Sequence, residues 1–144
     1  MIREYRNSDK KELLQLLDHN IPEYFDPAER NDYIDYLNDE LEDYFVYEVE
    51  GRLLAAAGIN YNEDEARLSW DFVHPDIQGQ GIGRAITQHR IRHIKNKGYE
   101  KIRVRTSQHA YKFYEKMGFQ ISRVEENYWA ENYHLYDMNF VSNA

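Results

Sequence analysis

Apolar residues in the first 41 positions fall at helical spacing, after a short strand-like run over residues 2–5. The first predicted helix follows Ser8 or Asp9, either of which can cap it, and ends near Asn20. Its leucines at positions 13, 14, 16 and 17 form one broad apolar face. A second helix is predicted from residues 26–29, where Asp-Pro-Ala-Glu has the pattern of a capping box with proline at the first helical position. The apolar positions of this second helix are Tyr33, Ile34, Leu37 and Leu41.

From residue 44 onward the pattern changes to aromatic and aliphatic residues that favour strands. Two antiparallel strands are predicted within residues 44–61, joined by a tight hairpin at Glu50 and Gly51. After a turn at residues 62–65, positions 67–73 alternate between apolar and polar residues. Because side chains alternate across a strand, one face is predicted to carry Leu68, Trp70 and Phe72, and the other Arg67, Ser69, Asp71 and Val73.

A third helix is predicted after Gly83. It runs to about Lys97 and stops at Gly98, and a strand follows over residues 101–105. This strand carries alternating apolar and basic residues, which indicates one buried face.

The last helix is predicted after Ser107, which can cap it, and it ends at Gly118. One of its faces is apolar and consists of Ala110, Phe113, Tyr114 and Met117. Strands near residues 119–124 and 133–140 complete the chain. About seven strands and four helices in 144 residues indicate a single mixed α/β domain over residues 1–144.

The composition limits the available chemistry. Cysteine is absent, so thiol nucleophiles, disulfides and cysteine-based zinc sites are excluded, and carboxylate, histidine, tyrosine and serine side chains remain. No apolar run is long enough to cross a bilayer, and no apolar segment follows Met1. A soluble, cytoplasmic protein without a membrane partner is therefore expected.

The net charge of −8 is unevenly distributed. Residues 23–50 contain eleven acidic side chains against Arg30 alone, and residues 84–105 contain eight Lys or Arg against Glu100 alone. Either run can be a solvated helix face. Together they also suit a phosphate-rich ligand on the basic side and a cationic partner on the acidic side. Nucleic acid is not an expected partner, because no basic surface dominates the strongly negative chain.

A glycine loop, residues 78–84 with the sequence Gln-Gly-Gln-Gly-Ile-Gly-Arg, lies between the predicted strand 67–73 and the third helix. Glycines let a backbone approach a ligand closely, and the first N–H groups of a helix have no internal partners. This combination favours a phosphate or pyrophosphate ligand, although a tight strand-to-helix turn explains the same glycines. The spacing matches neither a P-loop nor a dinucleotide fingerprint.

Two motifs resemble the GNAT superfamily of N-acetyltransferases. Gln78, Gly81 and Gly83 occupy the positions of the family's acyl-CoA loop, which follows Val-His-Pro at residues 73–75. Residues 110–119, Ala-Tyr-Lys-Phe-Tyr-Glu-Lys-Met-Gly-Phe, are similar to the family's late helix. The order of elements agrees over essentially the whole chain, while the first two helices match in position only. The resemblance implies a mostly antiparallel central sheet that splays open at the acyl-CoA site.

The resemblance also implies which residues hold acetyl-CoA. The pyrophosphate would bind the loop formed by Gln78, Gly79, Gln80, Gly81, Ile82, Gly83 and Arg84. The pantetheine arm would pair with backbone near Asp71, Phe72 and Val73, where an N–H would polarise the thioester carbonyl. Ala110 and Tyr114 would complete this side. Ser107 replaces the family's frequent Asn and can contact the cofactor or serve only as a helix cap.

Acetyl transfer to an amine needs a group that removes a proton from nitrogen and another that protonates the leaving thiolate. Tyr114 resembles the family's general acid, and the alternative is a core tyrosine. Asp71 is the candidate base. It can instead pair with Arg67 or orient the amine while a water chain carries the proton.

The expected acceptor is a primary amine, attacked directly in a ternary complex. The acidic segment favours a small cationic acceptor, recognised by Tyr24, Glu23 and Asp26, although these can be ordinary loop residues. A protein lysine or N-terminus is an alternative acceptor, and a non-catalytic acyl-CoA-binding module is an alternative function. A homodimer is also compatible with the chain.

No metal is expected. His89 and His93 stand four residues apart on one helix, which suits zinc, but the glutamate of a metalloprotease helix and a third ligand are missing.

Overall fold

A computed structural model describes residues 1–141 of the chain. The elements in chain order are β1 (Ile2–Glu4), α1 (Lys10–Asp18), α2 (Glu29–Asp39), β2 (Asp43–Val49), β3 (Arg52–Tyr61), β4 (Glu65–Val73), α3 (Ile82–Asn96), β5 (Lys101–Thr106), α4 (Tyr111–Lys116), β6 (Phe119–Ala130) and β7 (Tyr133–Phe140). The predicted mixed α/β fold with seven strands and four helices is therefore confirmed.

The seven strands form one sheet in the order β1-β2-β3-β4-β5-β7-β6. Every neighbouring pair is antiparallel except β4 and β5, which are parallel. The pairing of β4 with β5 stops at Leu68 and Val104, although β4 continues to Val73. The two strands separate beyond this point, so the second half of β4 is paired on its β3 side only. This opening is the splay that the resemblance to the GNAT superfamily implied.

Helices cover both faces of the sheet and bury two separate cores. One core lies under α3 and α4 and includes Ile86, Ile94, Tyr114 and Phe119. The other lies under α1 and α2 and includes a layer of tyrosines, with Tyr33 fully buried. The buried apolar faces predicted for the first and last helices are confirmed. The face predicted for the second helix is confirmed in part, because Leu41 lies beyond the end of α2. Both cores are needed because a central sheet has two apolar faces to cover.

A β-bulge in β4 contradicts the simple alternation predicted for residues 67–73. Gly58 of β3 pairs with Ser69 and Ala56 with Phe72, so one residue of β3 faces both Trp70 and Asp71. Trp70 has a φ of 44°, in the left-handed region of backbone conformation. The bulge adds one unpaired residue to β4 at this point. Leu68 therefore packs into the core under α3 and α4, whereas Trp70 and Phe72 pack into the core under α1 and α2. The three side chains do not share one face.

The predicted helix starts are partly confirmed. Asp26 accepts a hydrogen bond from the backbone N–H of Ala28, and Glu29 accepts one from the backbone N–H of Asp26, which is half of a capping box. The predicted helical position of Pro27 is wrong, because α2 begins at Glu29. Ser107 does not cap α4, whose first flanking residue is Ala110. The Ser107 hydroxyl instead accepts a hydrogen bond from the backbone N–H of His109 at 3.2 Å, in the turn that precedes α4. The predicted hairpin is confirmed, since Glu50 and Gly51 both have positive φ between β2 and β3.

No helix within residues 1–141 is long and apolar enough to cross a membrane.

Candidate active site

A cleft of about 600 Å³ opens where β4 and β5 diverge. It contains most of the residues predicted to bind the cofactor or to act in catalysis, namely Asp71, Phe72, Val73, Gln78, Gly79, Gly81, Gly83, Arg84, Ser107, Ala110 and Tyr114. Gln80 is exposed and Ile82 is buried, and neither lines the cleft. The fold thus brings together loop, strand and helix residues that are up to 43 positions apart, from Asp71 to Tyr114.

The glycine loop uses its glycines in two ways. Gly79 and Gly81 have φ of 83° and 85°, and a Cβ on either would meet no heavy atom within 4 Å. These two positions need glycine for backbone conformation. Gly83 has an ordinary φ inside the first turn of α3, and its Cβ would lie 3.6 Å from the Phe113 ring. The loop therefore leaves exposed backbone in front of a helix start, which is a suitable anion site.

Tyr114 combines burial with access to the cleft. Its side chain is 2% exposed and packs edge-on against Phe113 and Phe119. It also lines the cleft, and its hydroxyl forms no hydrogen bond with any other group of residues 1–141. A phenol fixed by its ring, with its hydroxyl available, can donate a proton to a bound ligand.

Asp71 pairs with Arg90 and not with Arg67, the partner considered from the sequence. Arg90 is a fully buried arginine of α3, and its guanidinium donates to Asp71 at 2.8 Å. The same guanidinium donates to the backbone carbonyl of Gly58 at 3.1 Å. Arg90 thus ties α3 to both strands at the bulge. Asp71 is still 27% exposed on the cleft side.

Tyrosines hold the bulge from the opposite face of the sheet. Tyr44 donates to the backbone carbonyl of Trp70 at 2.8 Å, and Tyr33 is hydrogen-bonded to Tyr44 at 2.7 Å. Tyr36 lies within 3.2 Å of the Ser69 hydroxyl. Burial raises the pKa of Tyr36 to about 12 and raises that of Tyr44 well above its usual value, so both stay neutral donors at pH 7.

The predicted acceptor residues are only partly in the cleft. Tyr24 lines it and contacts the His109 ring edge-on at a centroid distance of 5.6 Å. Glu23 is exposed outside the lining, and Asp26 is engaged in the helix cap. The α1–α2 connection, α2 and the β6–β7 hairpin together form what we call the acceptor end of the cleft. The two sides meet where the Tyr133 hydroxyl donates to the Pro22 carbonyl.

Several cleft residues were not identified from the sequence. Glu29 lines the acceptor end, and burial, followed by repulsion from Asp26 and Asp32, raises its pKa to about 7. Arg105 lines the cleft with its guanidinium 4.9 Å from the Tyr128 ring centroid. The capping pattern marked Glu29 as a helix start, but nothing in its spacing indicated that α2 would present it to a cleft.

His89 and His93 lie outside this cleft. Both pack edge-on against Phe45, and His93 is within 3.1 Å of an Asp43 carboxylate oxygen. Among residues 1–141 there is no cluster of three or more His, Asp or Glu side chains arranged to hold a metal ion.

Residues 10–141 match a family described as the acetyltransferase (GNAT) domain. The chain belongs to the GNAT acetyltransferase family. Acetyl transfer from acetyl-CoA to an amino group is the activity of that family, and the splayed sheet and glycine loop described above are consistent with it.

Known members of the family are similar to this chain. A putative ribosomal protein bS18-alanine N-acetyltransferase of Bacillus subtilis (strain 168) is 28% identical over 103 residues, which are 69% of this chain and 68% of that protein. The ribosomal protein bS18-alanine N-acetyltransferase of Escherichia coli (strain K12) is 35% identical over 82 residues, and this match spans about half of either chain, 55%.

Solved structures agree on the fold. The crystal structure of a ribosomal-protein-S18-alanine N-acetyltransferase from Escherichia coli matches with a TM-score of 0.83 at 22% identity, over 100% of this chain and 95% of that chain. An aminoglycoside 6'-N-acetyltransferase complexed with coenzyme A matches with a TM-score of 0.79 at 17% identity, over 100% and 99%. Two enzymes named for such different acceptors share this fold, so the fold leaves the acceptor open.

Proposed function

We propose that this GNAT protein transfers the acetyl group of acetyl-CoA to a primary amine by direct attack, with the cleft between β4 and β5 as the active site. The observation that carries this proposal is the convergence of three features on one cleft. They are the glycine loop before α3, the unpaired edge of β4 and the available hydroxyl of Tyr114.

The donor side of the cleft fits acetyl-CoA. The exposed backbone of residues 78–84 and the first turn of α3 suit the pyrophosphate, and Arg84 adds a positive charge there. The β5-facing edge of β4 beyond Leu68 has free backbone groups that suit the amide-containing pantetheine arm. Bound acetyl-CoA supplies the thioester. Phe72 and Val73 border this edge, and Ser107 and Ala110 border the start of α4.

The proposed chemistry uses Tyr114 as the general acid that protonates the departing sulfur. Its buried ring fixes the hydroxyl, and the low polarity around it strengthens a hydrogen bond to a developing thiolate. Asp71 as the general base remains a prediction. Its ion pair with Arg90 also holds the bulge, so a positioning role is the alternative for this carboxylate.

The acidic segment supports a small cationic acceptor. Residues 23–50 include most of the α1–α2 connection, α2 and β2, and this segment contributes Glu29 and Glu40 to the cleft. An approaching ammonium is therefore attracted to this side of the protein. Tyr24 can pack against its alkyl chain.

A protein N-terminus is a second candidate acceptor. It is favoured by the two curated relatives, which are named for acetylating the alanine of a ribosomal protein. An α-amino group titrates near pH ~8, below the ~10.4 of an alkylammonium, so it loses its proton more readily.

The test is the release of free thiol from acetyl-CoA in the presence of four acceptors. These are spermidine, kanamycin, lysine amide and a hexapeptide with a free N-terminal alanine. Acceleration by spermidine, kanamycin or lysine amide supports a small cationic acceptor, and acceleration by the peptide alone supports a protein N-terminus. If acetyl-CoA binds and no amine accelerates thiol release, the transfer proposal fails.

A Tyr114→Phe variant tests the acid. The ring packing is kept and only the hydroxyl is lost, so kcat is expected to fall about 10²-fold while KM for acetyl-CoA changes little. Tyr111→Phe is a matched control, because Tyr111 stacks on Tyr136 away from the cleft lining. A Tyr114→Phe variant with the full wild-type rate would contradict the acid role alone.

A further inference from the structure

Glu29 lies at the acceptor end of the cleft and is the first residue of α2. Its Oε2 atom accepts a hydrogen bond from the backbone N–H of Asp26 at 2.9 Å, which fixes the side chain against its own helix start. Within residues 1–141 its other oxygen, Oε1, accepts no hydrogen bond, and no basic side chain forms an ion pair with either oxygen. One oxygen is thus held by the helix cap and the other is available.

The groups around Glu29 oppose its ionisation. Partial burial, together with the charges of Asp26 and Asp32, raises its pKa to about 7 and outweighs the hydrogen bond from the Asp26 N–H, which lowers the pKa. From the β6–β7 hairpin, Tyr133 faces the same region, since burial and then the charges of Asp26 and Glu29 raise the pKa of its phenol. Arg67 and Arg105 line the cleft from β4 and β5 without forming an ion pair with Glu29.

A carboxylate with these surroundings is suited to remove a proton from an ammonium near neutral pH. We infer that Glu29 is the residue that takes the proton from the acceptor's ammonium, an assignment that rests on the proposed acetyl transfer. The alternative base, Asp71, forms an ion pair with the buried guanidinium of Arg90, whereas Glu29 forms none within residues 1–141.

Protons and bonds balance in the proposed transfer. The ammonium gives one proton to the Glu29 carboxylate, and the neutral nitrogen forms a bond to the acetyl carbon as the carbon–sulfur bond breaks. Tyr114 gives its proton to the departing sulfur and regains one from the acylated nitrogen. Glu29 then returns its proton to solvent. The products are the N-acetylated amine, free CoA thiol and one released proton.

The test is the pH dependence of kcat/KM between pH 5.5 and 9, measured with whichever of the four acceptors is fastest. The wild-type protein is expected to show a rising limb near pH 7. Glu29→Gln keeps an oxygen that accepts from Asp26, so the helix cap survives. We expect this variant to lose the limb and about 10²-fold in kcat/KM at pH 8.

Asp32→Asn is the matched control, since it removes one negative charge from the same helical turn without touching the cleft lining. This variant should keep the limb, displaced to lower pH, because a repelling charge near Glu29 is gone. The inference is overturned if Glu29→Gln keeps the limb within twofold of the wild-type rate. It is also overturned if Asp71→Asn abolishes the limb while Glu29→Gln does not, or if Glu29→Gln changes only KM for the amine.

A second readout needs no turnover. The unfolded chain releases the Glu29 proton near pH 4.5, whereas the folded protein holds it to about pH 7. Between these values the folded state binds more protons, so this residue makes the free energy of unfolding fall as pH rises. Glu29→Gln should remove that part of the slope. In the wild-type protein, the ¹³C carboxyl resonance of Glu29 should titrate near pH 7, and a midpoint below 5.5 overturns the inference.

The two proposals fail separately. If wild-type protein releases no thiol with any of the four acceptors, the proposed acetyl transfer fails. If the wild-type protein is active and Glu29→Gln has the same pH profile, only the assignment of Glu29 fails.

Discussion

Gly79, Gly81 and Gly83 have different structural roles although they alternate in one loop. Gly79 and Gly81 adopt positive φ, a conformation that costs other residues ~1–2 kcal/mol. Gly83 has helical backbone, and a Cβ added there would lie at an ordinary van der Waals distance from Phe113. The loop conformation in front of α3 therefore depends on the first two glycines.

Gly81→Ala should lower the stability of the protein, and Gly83→Ala should not. Gly81→Ala strains the backbone and should lower the free energy of unfolding by ~1 kcal/mol and raise KM for acetyl-CoA. Gly83→Ala replaces glycine within a helix and should leave that free energy unchanged or raise it by up to ~1 kcal/mol. Urea denaturation of both variants measures the difference. Equal losses in the two variants would contradict the assignment.

At the scale of elements, the bulge in β4 organises the site. It turns Trp70 toward the tyrosine layer and places Asp71 against Arg90, and it lies where β4 leaves β5. Groups from both faces hold it, with Tyr44 donating to the Trp70 carbonyl and Arg90 to the Gly58 carbonyl. The bulge is thus fixed by buried hydrogen bonds, which are costly to break.

Gly58→Ala tests this packing. A Cβ at Gly58 would lie 2.5 Å from Tyr44 Cδ1 and 2.6 Å from the Tyr36 hydroxyl, so both rings must move. We expect a loss of ~1–3 kcal/mol in the free energy of unfolding from overpacking. We also expect a lower kcat/KM, because the tyrosines hold the bulge.

Combining Gly58→Ala with Tyr36→Phe provides the control, since one of the two groups that the new methyl group meets, the Tyr36 hydroxyl, is then absent while the Tyr44 ring remains. The double variant should lose less stability than the sum of the two single changes, as a double-mutant cycle would show. An additive result would mean that the clash is absorbed elsewhere.

At the scale of the whole molecule, the cleft lies between an acidic and a basic part of the chain. The acidic residues 23–50 include α2, and the basic residues 84–105 include α3 and β5. Both parts contribute to the cleft lining. The acceptor end of the cleft therefore has acidic residues from the first segment, and the side proposed to bind acetyl-CoA has basic residues from the second.

This arrangement predicts a salt effect that depends on acceptor charge. Raising NaCl from 0.05 to 0.5 M shortens the Debye length from roughly 14 to roughly 4 Å and screens the exposed carboxylates. KM should then rise several-fold for spermidine and much less for a singly charged amine. The measurement is initial rates at fixed pH with acetyl-CoA saturating. A KM for spermidine that is independent of salt would remove the electrostatic argument for a cationic acceptor.

The sequence determined the parts of this protein that depend on neighbours along the chain. The amphipathic helices, the hairpin at Glu50 and Gly51, the glycine loop and the apolar face that carries Tyr114 all follow from local spacing and backbone preference. These features also sufficed for the resemblance to the GNAT family.

Only the tertiary structure decided how distant residues meet. The bulge at Trp70 reverses the face that alternation assigned to Phe72, because pairing with β3 sets the register. Arg90 reaches Asp71 across 19 positions, and α2 packing brings Glu29 to the cleft, where burial raises its pKa to about 7. Burial and pairing across the fold depend on the positions of whole elements. No residue pattern within one element specifies them.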